Sequence, residues 1–160
     1  MIINFILNGE EVNYDAYPGE TLFELLRRYH HYEVKGNNCK TGECGACTVL
    51  IDDKPIPSCT LLVGKVIGKK VTTIKGIGDI DKPDLIQKTF VEEGAIQCGY
   101  CIPGIIISVE GLLRKNPDPT KDDIKESLSS HICRCTGYTQ QIEAVEKVIK
   151  KIKEGKWVKL

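Results

Sequence analysis

A chain of 160 residues with 41% apolar and 28% charged residues has the make-up of a globular protein of one domain or two small ones. Its 22 Lys and Arg balance 22 Asp and Glu, and a net charge of zero argues against nucleic acid as the main partner, which demands a basic surplus. No apolar run approaches the roughly 20 residues that cross a bilayer, so no membrane span is expected.

In chain order, Ile2 to Leu7 and Glu11 to Tyr14 flank Asn8-Gly9, the signal of a type I′ hairpin. The opening residues Met1 to Ile6 carry no basic region and no small-residue cleavage site, so a cytoplasmic location is expected. Thr21 with Glu24 three residues on is a capping box, opening a short helix with Leu22, Leu25, Leu26 and Tyr29 on one face. Thr48 to Ile51, Asp52-Asp53 and Lys54-Pro55-Ile56 predict a second hairpin, its proline marking an edge strand. Lys70 to Ile74 is a last β-branched strand. The expectation is thus a small mixed sheet with one helix over residues 1–76, then a linker over 77–83 carrying Gly78-Asp79 and Lys82-Pro83.

From residue 84 to 160 the apolar period becomes helical. Pro83 suits the first turn of a helix through Phe90 and Val91. Pro103-Gly104 opens an apolar helix to about Lys115, ended by Asn116-Pro117-Asp118-Pro119. Thr120, with Asp123 three residues on, caps a third helix to about Leu128. A fourth from Gln140 lines up Ile142, Val145, Val148, Ile149 and Ile152. Four such helices predict an antiparallel bundle, and the fold class α+β.

Eight cysteines in a chain without an export signal point to metal or redox work rather than four disulfides. They divide four and four between the halves. Cys39, Cys44 and Cys47 with the later Cys59 follow the C-x4-C-x2-C…C spacing of plant-type [2Fe–2S] ferredoxins. Three thiolates on one loop wrap a small cluster and a fourth closes it, while Gly42 and Gly45 supply positive φ and close backbone approach. Cys98 and Cys101, then Cys133 and Cys135, converge only if a helix hairpin brings them together. Structural zinc also takes paired cysteines, and for the second set it stands as a rival to iron–sulfur. The C-x2-C-x2-C-x3-C-P run of paired [4Fe–4S] clusters is absent. Thiol–disulfide exchange at Cys98 and Cys101 would leave Cys133 and Cys135 without a role.

Gly42-Glu43-Cys44-Gly45-Ala46-Cys47-Thr48-Val49, Gln97-Cys98-Gly99-Tyr100-Cys101-Ile102-Pro103-Gly104 and Cys133-Arg134-Cys135-Thr136-Gly137-Tyr138 together resemble the iron–sulfur subunit of molybdenum hydroxylases. That family spans xanthine dehydrogenase, aldehyde oxidoreductase, carbon monoxide dehydrogenase and 4-hydroxybenzoyl-CoA reductase types. The resemblance covers nearly the whole chain. It implies a β-grasp [2Fe–2S] ferredoxin domain followed by a four-helix-bundle [2Fe–2S] domain. It further implies that Cys39, Cys44, Cys47 and Cys59 bind the cluster nearer FAD. Cys98, Cys101, Cys133 and Cys135 would bind the one nearer molybdenum, with Gln97 and the Cys135 sulfur against the molybdopterin. The resemblance also brings partners: a large molybdenum-cofactor subunit and an FAD subunit, assembled as a dimer of heterotrimers. Two positions depart from the family pattern. Asn38 replaces the usual glycine before the first cysteine, and Ile102 replaces the common threonine after Cys101. Asparagine tolerates left-handed geometry, so the first departure is compatible with the loop.

Other motifs are missing. Gly76-Ile77-Gly78 lacks the third glycine of a dinucleotide fingerprint, and no Walker loop occurs. His30, His31 and His131 form no plausible catalytic pair: His131 is expected to be structural or on the surface, His30 and His31 to face solvent or a helix C-terminus. Lysines 147, 150, 151, 153, 156 and 159 alternate with an apolar stripe and suggest a solvated helix face, with a docking patch as the alternative. Without a substrate or hydride site, such a chain can only pass electrons between other proteins, and a non-redox zinc scaffold is the rival of a different class.

Overall fold

The structure is a computed structural model and describes residues 1–30, 34–36 and 39–155. Strands β1 (Ile2–Leu7) and β2 (Glu10–Asp15) pair antiparallel from Ile2 against Asp15 to Leu7 against Glu10. Asn8 and Gly9 between them both have positive φ, as a type I′ turn requires. Alternation puts Ile3, Phe5 and Leu7 into the core and leaves Ile2 exposed. Helix α1 (Leu22–His30) starts at the expected box: the Thr21 N–H donates to Glu24 Oε2 at 3.0 Å, and the Glu24 N–H to Thr21 Oγ1 at 3.3 Å. Its buried face is Leu22, Phe23, Leu25 and Leu26. Tyr29, expected on that face, lies outside it, stacked on Tyr14 at 4.3 Å with its hydroxyl donating to the Asp15 carbonyl.

Strands β3 (Thr48–Ile51) and β4 (Lys54–Pro57) form the second hairpin. Asp52 and Asp53 at its turn both take positive φ. Strand β5 (Lys70–Thr72) lies parallel to β1 and antiparallel to β3, giving the order β2-β1-β5-β3-β4. The proline-bearing β4 is therefore an edge, where its missing N–H costs no ladder bond. β5 stops two residues short of the expected Ile74. The Thr73 N–H is taken by Asn8 Oδ1 at 2.8 Å, and the chain turns into a single helical turn, α2 (Ile74–Ile77).

Helix α3 (Leu85–Glu92) is capped by Asp84, which accepts from the Ile86 N–H while Gln87 Oε1 accepts from the Asp84 N–H, both at 2.8 Å. Pro83 thus sits just outside the helix rather than in its first turn, because the Asp84–Gln87 box fixes the start. Helices α4 (Ile102–Lys115), α5 (Lys121–Ser129) and α6 (Thr139–Lys153) follow as expected, α5 with its Thr120–Asp123 box intact. One apolar cluster fills the space between sheet and α1, and a second fills the bundle. Helix α4 packs against both β3 and the other helices, which is why ten of its 14 residues are buried. Among the described residues no helix is long and apolar enough to cross a membrane.

Candidate metal centres

The first four thiols meet where three local devices bend the chain. Cys39, Cys44 and Cys47 lie on the loop between α1 and β3, and Cys59 on the 3-10 turn Ser58–Thr60 after β4. Positive φ at Lys40, Gly42 and Gly45 curls the loop inward. At its end, the Thr48 N–H and hydroxyl both donate to the Gly45 carbonyl, at 3.1 and 2.7 Å. Ser58 then ties the Cys59 turn to the loop, its N–H and hydroxyl donating to the Cys47 carbonyl at 3.2 and 2.7 Å. The four thiols line one small pocket with Phe23, Gly36 and Lys40.

Within that pocket the Cys44 sulfur has Cys39 and Cys47 as neighbours, and the Cys59 sulfur has Cys47 and Cys39. Thr41 donates to the Cys39 sulfur through its N–H at 3.4 Å and lies 3.0 Å away through its hydroxyl. These Thr41 bonds and the Cys44 N–H bring the Cys39 thiol down to about 6. Burial pushes Cys59 up to about 11, helped by Cys47 beside it. Cys39 thus favours the thiolate form while Cys59 in the same pocket resists it, and metal binding requires both to be deprotonated.

The second four are assembled by the bundle. Cys98 precedes α4, Cys101 is its N-cap residue, and the α4–α5 hairpin returns the chain so that Cys133 and Cys135 fall beside them. Cys101 has Cys133 as its neighbour, and Cys135 has both Cys98 and Cys133. Burial pushes Cys101 up to about 12. Burial acts the same way on Cys133, but the Thr136 hydroxyl at 3.1 Å and N–H at 3.5 Å outweigh it and bring that thiol to about 7. Tyr138 clamps the loop, its hydroxyl accepting from the Cys133 N–H at 2.8 Å and donating to the His131 carbonyl at 3.0 Å.

The two thiol loops touch directly. The Ile132 N–H donates to the Cys44 carbonyl at 3.1 Å, so residues adjacent in sequence to one set bond to the other. Gly45 lies so close to His131 that an added Cβ would stand 2.2 Å from Nδ1, and one on Gly104 would stand 2.2 Å from the Gly45 carbonyl oxygen. His131 is structural, as expected: buried, with Nε2 2.7 Å from Ser108 Oγ of α4.

Four neighbouring thiols in each half suit a two-iron cluster, which takes two thiolates on each iron. Structural zinc needs four donors around one atom. Among the described residues no three or more His, Cys, Asp or Glu side chains converge as a site for a single ion. Four cysteines and no histidine in each set match the all-thiolate donor set of a [2Fe–2S] cluster.

Gln97, Cys98 and Cys135 are all exposed, and the Cys98 sulfur neighbours that of Cys135. Gln97 lies in the irregular segment before α4 and is no helix-start residue. His30 is half-buried, with its Nε2 against the Tyr14 hydroxyl. His31, Asn38, Lys156 and Lys159 lie outside the described residues. Lys147, Lys150 and Lys153 are exposed, Lys153 paired with Asp118 at 2.7 Å, while Lys151 bridges Glu92 and Thr89. In the sequence, Thr136 and Tyr138 stand out only as part of a motif, and no role is assigned there to them, to Thr41 or to the fully buried Gln141. A hydroxyl two or three residues after a cysteine was the available signal for the two threonines.

Comparison with known proteins agrees with this layout. Residues 5–70 match the family profile of the 2Fe-2S iron-sulfur cluster binding domain, and residues 73–146 that of the [2Fe-2S] binding domain. The chain is 40% identical to the nicotinate dehydrogenase small FeS subunit of Eubacterium barkeri, over 93% of this chain and 95% of that one. It is 38% identical to the xanthine dehydrogenase iron-sulfur-binding subunit of Escherichia coli, over 89% of this chain and 91% of that one. Quinoline 2-oxidoreductase from Pseudomonas putida 86 superposes with a TM-score of 0.88 at 32% identity, covering 98% of both chains.

Proposed function

Because the chain belongs to the family of small iron–sulfur subunits of molybdenum hydroxylases, we propose that it is the electron-relaying subunit of such an enzyme, of xanthine dehydrogenase type. In this reading Cys39, Cys44, Cys47 and Cys59 hold one [2Fe–2S] cluster, and Cys98, Cys101, Cys133 and Cys135 hold the other. The reading divides the chain into a sheet domain over 1–76, a linker over 77–83 and a helical domain over 84–160. Molybdopterin sits on a large partner subunit and FAD on a further one, in a dimer of heterotrimers in the cytoplasm. Nicotinate is a second candidate substrate type, favoured by the 40% identity across 93% of the chain to a nicotinate dehydrogenase subunit.

Each cluster, when bound, accepts and returns one electron. The protein's own contribution is placement. Thr41 and Thr136 stabilise negative charge on Cys39 and Cys133, respectively. The Ile132 N–H bond to the Cys44 carbonyl keeps the two thiol sets in contact through main-chain atoms, and this is the observation that best supports a relay. Exposure of Gln97, Cys98 and Cys135 leaves the second set open on one side, which suits coverage by the large subunit with Gln97 and Cys135 toward the molybdopterin.

The test is chemical. Protein purified without oxygen is expected to be red-brown, to bleach with dithionite and to contain about four iron and four sulfide per chain. Colourless protein with stoichiometric zinc would overturn the proposal.

A further inference from the structure

Gln141 lies in the first turns of α6 and is 0% exposed. A buried amide costs free energy unless its donors and acceptors are met. Here Nε2 points at two sulfurs, 3.8 Å from Cys101 Sγ and 3.8 Å from Cys133 Sγ. Its Oε1 is also buried and has no hydrogen-bond partner among the described residues. The opposite amide orientation would aim carbonyl lone pairs at two sulfurs that must become thiolates. The pair of sulfurs therefore sets which way the amide faces, at the expense of its oxygen. An apolar side chain would fill this core position without leaving that acceptor unmet.

We propose that Gln141 is a positioning residue for the second cluster, raising its reduction potential by donating N–H···S bonds to Cys101 and Cys133. The proposal rests on the ligand set given above. Reduction adds one electron, supplied by dithionite or by a partner subunit, and increases the negative charge shared by the sulfurs. Donors aimed at those sulfurs stabilise the reduced form more than the oxidised one.

Gln141→Met keeps the length of the side chain and removes the amide. In anaerobically purified holoprotein, a potentiometric titration followed by EPR reads both clusters separately. The second cluster's reduction equilibrium is expected to shift about tenfold toward the oxidised form, which for one electron is about 59 mV lower. The first cluster should keep its wild-type value. Both clusters present at wild-type potentials in the variant would overturn the proposal. Should the variant lose its second cluster, the unaltered protein still decides the matter. With glutamine side chains labelled with ¹⁵N, in the unaltered protein and in a Gln97→Ala control that removes the glutamine next to Cys98, pulsed EPR of the reduced second cluster is expected to show in both a nitrogen coupling together with an exchangeable proton. Absence of that coupling would overturn the proposal. Failure of the underlying ligand assignment would register instead as missing iron in the wild type.

Discussion

Gly45 occupies a position that admits no side chain. Its φ of +71° lies in the left-handed region, and an added Cβ would come within 2.2 Å of His131 Nδ1 and 2.5 Å of the Ser130 carbonyl oxygen. Neither obstacle can step aside: one is a ring held by Ser108, the other is backbone. Gly45→Ala is expected to cost about 3 kcal/mol, from left-handed strain and overpacking together. Thermal unfolding under anaerobic conditions should show a clearly lowered midpoint, and a midpoint unchanged from wild type would mean that the loops pack differently. Sequence inspection singled out Gly45 for its backbone freedom. It could not foresee the close contact with His131, because the two residues are 86 positions apart and nothing in either segment encodes the meeting.

At the scale of elements, α4 fastens the two halves. Its N-terminal end presses Gly104 against the Gly45 carbonyl, and its C-terminal end carries Arg114. The Arg114 Nε lies 2.6 Å from Glu110 one turn earlier, and its Nη1 contacts Asp53 in the β3–β4 turn. Glu110 is only 4% exposed, with Oε2 unpartnered among the described residues, so its charge depends on that guanidinium. Arg114→Met is expected to destabilise by about 3 kcal/mol, and the double variant Glu110→Leu with Arg114→Met to recover much of the loss. Urea unfolding of the three proteins checks this; equal stability of the single variant and wild type would show the pair to be a solvent-screened surface contact. Elements were legible wherever local chemistry decides them: both hairpin turns, the Thr21 and Thr120 boxes, and the proline-marked edge strand. They were misjudged where a distant group intervenes. Asn8 captures Thr73 and ends β5 early, and Tyr14 draws Tyr29 out of the core face.

At the scale of the whole molecule, two small cores each present four thiols, and the faces that present them meet. Cysteine spacing made both sets readable, since ligand identity is written locally in Cys39 to Cys47 and in Cys98 to Cys101. What spacing could not supply was the open side at Cys98 and Cys135 or the Ile132 to Cys44 bond, both of which are products of tertiary packing. The most direct measurement of the central claim is low-temperature EPR of the dithionite-reduced protein beside Cys44→Ser and Cys133→Ser. Wild type should give two signals of equal spin, with the first variant losing one and the second variant losing the other. A single signal in wild type, or loss of both from either variant while its helical circular dichroism is retained, would contradict two separately held clusters.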